Sequence, residues 1–217
     1  MRSDDAEATR EATTQARRRW DRKARLYDLL TAPAERMMGL ARGRGWVFER
    51  LPKGRVLEVG AGTGKNLSLH PARAVVVATD LSEGMLARAK QKAAGSSRNV
   101  RFVVTDAEHL AFRDGVFDAA VATCVFCSVP DPVRGLKEVR RVIQPGGSVI
   151  LLEHMRPQGV LGRVFDLLDP IVSRLMGPHI NRRTLENVRR AGLTPEEERN
   201  VFSDWVKVVV AHPPSSP

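Results

Sequence analysis

Cysteine is almost absent from this chain. The only two, Cys124 and Cys127, stand in the C-x-x-C spacing of a redox pair or half a zinc site. No second pair exists to complete a zinc site, and no helix start sits at the motif. On an extended segment an offset of three sends the two side chains to opposite faces. The expected role is therefore structural or pocket-lining, and no metal site is expected. Long hydrophobic runs are missing too. The longest apolar-leaning stretch, Ala119 to Val129, is too short to cross a bilayer. Met1-Arg2-Ser3-Asp4-Asp5 is polar, and no apolar segment of signal-peptide type follows it. These absences predict a cytoplasmic protein, or one peripheral to a membrane. Aromatic residues make up only 5% of the chain, which argues against a full aromatic cage around a quaternary ammonium.

Acidic residues are outnumbered, and the formal charge is +10 with a pI near 10.5. That balance implies a basic surface or an anionic partner. Part of the charge is clustered: Arg17, Arg18, Arg19, Arg22, Lys23 and Arg25 are opposed locally only by Asp21. Nucleic acid and anionic lipid are both candidates on charge alone. The length of 217 residues suits one domain with a full core and leaves room for a small appendage.

The chain is organised around Val56-Leu57-Glu58-Val59-Gly60-Ala61-Gly62-Thr63-Gly64. Val56 to Val59 suits a buried parallel strand. Three glycines at alternate positions then force a tight turn that a ligand can approach closely. Glu58 is an acid inside an apolar strand and needs a partner. A dinucleotide fingerprint, G-x-G-x-x-G, would need its third glycine at position 65, which is Lys65. A P-loop ending on Gly64-Lys65 would need its first glycine at Val59 and a hydroxyl residue at Asn66. Both readings fail.

Before this stretch the chain reads as helical. Residues 1 to about 15 are polar and helix-compatible. Trp20, Ala24, Tyr27 and Leu30 then form one apolar stripe at steps of four, four and three. Pro33 breaks the pattern and can open a second helix. Met37 to Leu51 fits another, ended by Pro52 and Gly54. Residues 1–51 are thus expected as a helical segment, read as a packed layer, a lid or a membrane-contacting surface.

After the stretch come a short helix near Lys65 to Leu69, a strand from Ala74 to Thr79 ending in Asp80, and a helix from Glu83 to about Ala94 capped by Ser82. Val100 to Val104 and Phe117 to Ala122 are further strands. Pro132 to Val142 is helical, and Ser148 to Glu153 is a fifth strand. This alternation indicates a parallel sheet with helices on both faces. Helices over Val160 to Met176 (bent or divided at Pro170) and Thr184 to Ala191 follow. Arg199 to Phe202 and Trp205 to Ala211 are expected as an antiparallel hairpin. Residues 212–217 are expected to be a disordered end.

In open parallel sheets ligands bind beyond the carboxyl ends of the strands. Glu58, Asp80, Asp106 and Ser128 all sit at or near such ends. Asp80 lies twenty residues after Gly60 (80 − 60), the interval usual for an acid that meets ribose hydroxyls. The pattern Glu58-Val59-Gly60-x-Gly62-x-Gly64, followed by Asp80-Leu81-Ser82-Glu83-Gly84-Met85-Leu86 and Asp106-Ala107, resembles the class I S-adenosylmethionine-dependent methyltransferases from about Arg55 to Glu153, and more loosely to Val210.

The resemblance implies a Rossmann-like, doubly wound, mostly parallel seven-stranded sheet with an antiparallel C-terminal hairpin, residues 52–211 forming the core of a single domain. It implies S-adenosylmethionine as cofactor and S-adenosylhomocysteine as product. The family's cofactor site maps onto Glu58 near the methionine amino group and the turn Gly60, Ala61, Gly62, Gly64 and Asn66. It continues through Asp80, Leu81 and Ser82, Met85 on the adenine face, Asp106 and Ala107 reading adenine, and Cys124, Val125 and Ser128 after the fourth strand. Tyr27 is placed to close over the sulfonium, or is core.

Cys124 to Val129, Leu136 to Gly147 and Glu153-His154 look more finely like two groups: bacterial phosphatidylethanolamine N-methyltransferases, and methyltransferase-like proteins acting on small thiols. The expected acceptor is thus a phospholipid amine, with a small thiol, a quinone or another metabolite as alternatives. Base-amino methyltransferases of nucleic acid usually carry [ND]-P-P-[YF] after the fourth strand; its absence argues against nucleic acid. Methyl transfer from a sulfonium needs alignment and a dry site, and a base only when the acceptor must lose a proton. His154 is the base candidate, or a packing histidine. Arg182 is an acceptor-phosphate candidate, or a surface arginine. A different class of reading is a nucleotide-fold binding protein that has lost catalysis.

Overall fold

The structure is a computed structural model that describes residues 2–214, with side-chain detail from Glu11 onward. Three helices come first: α1 (Arg2–Lys23), α2 (Tyr27–Met37) and α3 (Leu40–Glu49). The core then runs β1 (Arg55–Val59), β2 (Val75–Asp80), α4 (Glu83–Ala93), β3 (Val100–Val104), β4 (Phe117–Thr123), α5 (Pro132–Val142) and β5 (Ile143–His154). It closes with α6 (Gly159–Met176), α7 (Thr184–Arg190), β6 (Thr194–Phe202) and β7 (Val206–His212).

The seven strands form one sheet in the order β3-β2-β1-β4-β5-β7-β6. Strands β1 to β5 pair in parallel, and β7 runs antiparallel between β5 and β6. The chain winds outward from β1 through β2 and β3. It then returns to the other side of β1 with β4. The carboxyl ends of β1 and β4 are therefore the point where the winding reverses, where a crevice opens in such sheets.

Side chains alternate across the sheet, and each face has its own apolar core. Leu57, Val59, Ala120, Ala122, Val149 and Leu151 pack on one face with Leu136 and Val139 of α5 and Val188 of α7. Val56, Ala78, Ala119, Val121, Ile150 and Leu152 pack on the other with Val47 and Phe48 of α3 and Leu86 of α4. The alanines of β4 let helices approach the sheet closely at its centre.

Local signals set the helix ends. The hydroxyl of Ser82 accepts the Met85 N–H, and Asp131 caps α5 through the Val133 and Arg134 N–H groups, with Pro132 as its first residue.

Several expectations need correction. The stripe from Trp20 to Leu30 is not one helix: a turn at residues 24–26 separates α1 from α2, so Trp20 and Tyr27 belong to different helices. Pro33 does not open a helix but lies inside α2, which ends one turn later. Residues 65–69 form turns instead of a helix. β5 starts five residues earlier than expected, because Ile143 already pairs with Phe117 across an irregularity. β6 starts at Thr194. His212, expected in the disordered end, closes β7 by pairing with Thr194. Residues 215–217 of that end lie outside the described residues.

Candidate active site

A crevice of 110 Å³ opens at the carboxyl ends of β1, β2 and β4. Of the residues named from sequence, Tyr27, Gly60, Gly62, Asp80, Leu81, Met85, Asp106, Ala107, Cys124, Val125 and Ser128 line it. The glycine turn leaves main chain at its wall. At Gly60 (φ +66°) an added Cβ would lie 2.4 Å from Val125 Cγ2, whereas at Gly62 (φ +56°) it would meet nothing within 4 Å. Gly60 is thus required by packing, and Gly62 keeps the space beside it open.

Asp80 is fixed by two backbone donors. Its Oδ1 accepts the Ser82 N–H and its Oδ2 the Gly62 N–H, both at 2.8 Å. Burial nonetheless outweighs these donors and pushes its pKa up to about 6. Each oxygen keeps a further acceptor position for a ligand. Asp106 Oδ1 accepts the Glu108 N–H at 2.9 Å, which fixes the turn after β3.

Five of the residues named for the cofactor do not line the crevice. Glu58 shares the sheet face of Val56, so its side chain points into the core and not the crevice. Its Oε1 accepts from Asn66 Nδ2 at 2.8 Å and its Oε2 lies 2.7 Å from His70 Nε2. Asn66 also donates to Thr123 Oγ1. Glu58, Asn66 and His70 are all buried and brace the base of the glycine turn. Ala61 donates its N–H to the Thr79 carbonyl, and Gly64 packs tightly on Leu67 and Ala89. Ser82 is buried as a cap, and its hydroxyl also donates to Asp21 Oδ1 at 2.6 Å.

Asp21 shows how the crevice gains a roof. It accepts from Ser82 and from the Gly84 N–H, which docks α1 on the start of α4 and brings Ala16 and Trp20 over the opening. α2 is latched to the glycine turn. Asp28 accepts from Thr63 Oγ1, Lys65 donates to Thr31 and Glu35, and Lys92 donates to Asp28, each at 2.6 Å. Sequence reasoning missed Asp21 as a site residue because its partners Ser82 and Gly84 lie 61 and 63 positions away.

A second, larger cavity of 370 Å³ adjoins the first, and Trp20, Tyr27, Cys124 and Ser128 line both. Leu30, Met37, Met38, Phe165, Val172 and Trp205 are among its apolar walls. Its polar groups include His154 and His179. Burial lowers the pKa of His154 and raises that of Tyr27, so both are neutral at pH 7. Burial likewise raises the Cys124 and Cys127 thiols, which remain protonated and unbonded to each other.

The loop after β4 takes its shape from Glu153, unnoticed in the sequence as a site residue. Glu153 Oε1 accepts the Val125 and Phe126 N–H groups at 2.7 and 3.0 Å, next to Cys124 with its φ of 58°. Burial pushes the Glu153 pKa up to about 7. Arg182 reaches neither cavity; its Nη2 donates to the Val129 carbonyl at 2.8 Å and steadies the same loop.

Residues 57–151 match the family model described as a methyltransferase domain. Over these residues the chain is a methyltransferase domain of the class I S-adenosylmethionine-dependent type. It is 41% identical over 114 residues to a phosphatidylethanolamine N-methyltransferase of Cereibacter sphaeroides, covering 51% of this chain and 56% of that one. It is 36% identical over 152 residues to a demethylmenaquinone methyltransferase of Deinococcus radiodurans, covering 65% and 61%. The match thus spans little more than half of these relatives. A solved S-adenosylmethionine-dependent methyltransferase from Methanosarcina mazei shares the fold, with a TM-score of 0.63, 22% identity, and 77% and 96% of the two chains covered. The methyltransferase cofactor is S-adenosylmethionine. The crevice fits it chemically: main chain at Gly60 and Gly62, a fixed carboxylate at Asp80, and apolar walls from Leu81, Met85 and Val125.

Proposed function

We propose that this methyltransferase alkylates a lipophilic acceptor drawn from a membrane, first among them the amine of a phosphatidylethanolamine-type lipid. The observation that carries this reading is the second cavity. It is large, mostly apolar and adjoins the crevice through shared wall residues, and α2 and α6 border it. The outer faces of both helices carry exposed apolar residues: Leu29 and Leu30 on α2, Leu167, Ile171 and Leu175 on α6. Exposed apolar residues on the two helices that border the cavity suit entry of a lipid from a bilayer. Trp20 and Tyr27 turn inward and do not serve as interfacial anchors, so the basic region Arg17 to Arg25 contributes charge beside this patch. Among the described residues no helix is long and apolar enough to cross a membrane.

In this reading Asp80 accepts the ribose hydroxyls, Asp106 the adenine amine, and the Ala107 N–H meets a ring nitrogen. Met85 and Val125 flank the ring. Bound S-adenosylmethionine supplies an electrophilic methyl group. The chain supplies alignment and a dry passage between the cavities, with Tyr27 and Trp20 as its walls. His154 faces the acceptor from the second cavity.

A second reading, methylation of a reduced isoprenoid quinone, is favoured by one specific observation. The cavity offers no unpaired carboxylate to an ammonium, because Glu35 is held by Lys65 and Arg44. Incubation with labelled donor and vesicles carrying phosphatidylethanolamine, a reduced demethylated menaquinone, or a soluble thiol distinguishes these by mass spectrometry. Label in a vesicle-borne product supports a lipophilic acceptor. Label in the thiol alone, or cofactor binding with no turnover, refutes it. Replacing Leu167, Ile171 and Leu175 by Ser should release the protein from anionic vesicles while leaving S-adenosylhomocysteine binding intact.

A further inference from the structure

We propose that His179, held by Asp169, accepts the proton that the acceptor loses on methylation. The proposal rests on the reading of the second cavity as the acceptor site. Asp169 lies inside α6 and is only 6% exposed. Its Oδ2 stands 2.7 Å from His179 Nδ1, and its Oδ1 accepts the Ile180 N–H at 2.7 Å. Both oxygens are therefore committed to the segment after α6, and the imidazole is fixed in place. The His179 main-chain N–H donates to the Cys127 carbonyl at 2.8 Å. That carbonyl belongs to the residue before Ser128, which lines both cavities. His179 thus stands on the acceptor cavity's wall, tied to the loop that borders the passage.

A carboxylate on Nδ1 selects the tautomer with the proton there, which leaves the Nε2 lone pair free. Nε2 has no partner among the described residues. His154 lacks this arrangement: burial lowers its basicity, and no carboxylate among the described residues hydrogen-bonds its ring. In the transfer, a bond forms between the acceptor atom and the methyl carbon. The bond from that carbon to the sulfonium sulfur breaks, and its electron pair returns to sulfur. The acceptor's proton goes to His179 Nε2, and Asp169 offsets the charge on the resulting imidazolium. An amine carries that proton on the acceptor atom itself; a hydroquinone carries it on the hydroxyl whose loss activates the ring carbon, and the hydrogen on the methylated carbon then leaves as the hydroxyl is restored, a net loss of one proton in either case.

Nitrogen-15 NMR of the histidine side chains, with the rings neutral, tests the tautomer without any acceptor. The expected spectrum has His179 protonated at Nδ1 and bare at Nε2, with this preference lost in Asp169→Asn. A proton on Nε2 in the wild type overturns the proposal. Turnover is then measured with phosphatidylethanolamine vesicles and with the reduced demethylated menaquinone. His179→Gln keeps a donor for Asp169 but has no base. It should lower kcat by about 10²–10⁴-fold and leave the acceptor KM and S-adenosylhomocysteine affinity unchanged. Imidazole should restore part of the rate to His179→Ala, which a merely structural histidine would not show. A folded His179→Gln with wild-type kcat overturns this inference alone. Failure of the wild type on both acceptors overturns the acceptor reading, and the inference with it.

Discussion

Replacing Asp80 by alanine probes the crevice at its most charged point. The carboxylate is fixed by the Gly62 and Ser82 N–H groups, so it meets a ligand without reorganising. Two ribose hydroxyls donating to a charged acceptor contribute about 1.5–3 kcal/mol each. The low end of the pair, about 3 kcal/mol, corresponds to roughly a hundredfold in affinity. Water filling the vacated space returns part of that, so a loss of at least about tenfold is expected.

The pH dependence adds a second, independent reading. Burial raises the Asp80 pKa to about 6, and only the ionised form accepts both hydroxyls. Wild-type affinity for S-adenosylhomocysteine should therefore be level above pH 7 and fall as the pH drops through 6, approaching tenfold per unit. Asp80→Ala should remove that fall. Isothermal titration between pH 5 and 8, with circular dichroism to establish folding, measures both effects. A folded variant with wild-type affinity, or a wild type with level affinity down to pH 5, would refute the ribose assignment.

Two other substitutions separate packing from ligand space. Gly62→Ala places a methyl group where nothing else stands, at a φ that costs a non-glycine residue about 1–2 kcal/mol. It should lower the melting temperature by a few degrees and S-adenosylhomocysteine affinity more than that cost accounts for; equal losses would mean that the turn does not border the ligand. Glu153→Gln tests the buried acid behind the loop after β4. Its folded pKa of about 7 lies above the unfolded value, so the folded state holds the extra proton between roughly pH 4.5 and 7, and stability contributed by this group is lost as pH rises through that window. The variant should show a flatter stability profile there by denaturant titration, by no more than about 3 kcal/mol; an unchanged profile would show that Glu153 is ionised throughout.

Much of the core was legible because its signals are local. Alternation and glycine punctuation placed β1, β2, β3 and β4 to within a residue or two, and the cap at Ser82 placed α4. The acids at strand ends marked the crevice through Asp80 and Asp106. Glu58 shares the sheet face of Val56, and the period of two turns it toward His70, a partnership that no local signal marked. The break between Trp20 and Tyr27 carries no glycine or proline. Partnerships such as Lys65 with Glu35, Asp21 with Ser82, and Asp169 with His179 are set by how elements meet in space. Spacing along the chain encodes none of them.

Lys65 stands where a dinucleotide fold would place its third glycine, and it holds α2 down on the glycine turn. The consequence is kinetic. In the proposed reading donor and product exchange on the side roofed by α1 and α2, so departure of S-adenosylhomocysteine is expected to break the contacts of Lys65 and Asp28. The acceptor enters, in that reading, on the other side, between α2 and α6. Because Asp28 and Lys92 are partly exposed, added salt should quicken that exchange even as it loosens any hold on an anionic bilayer.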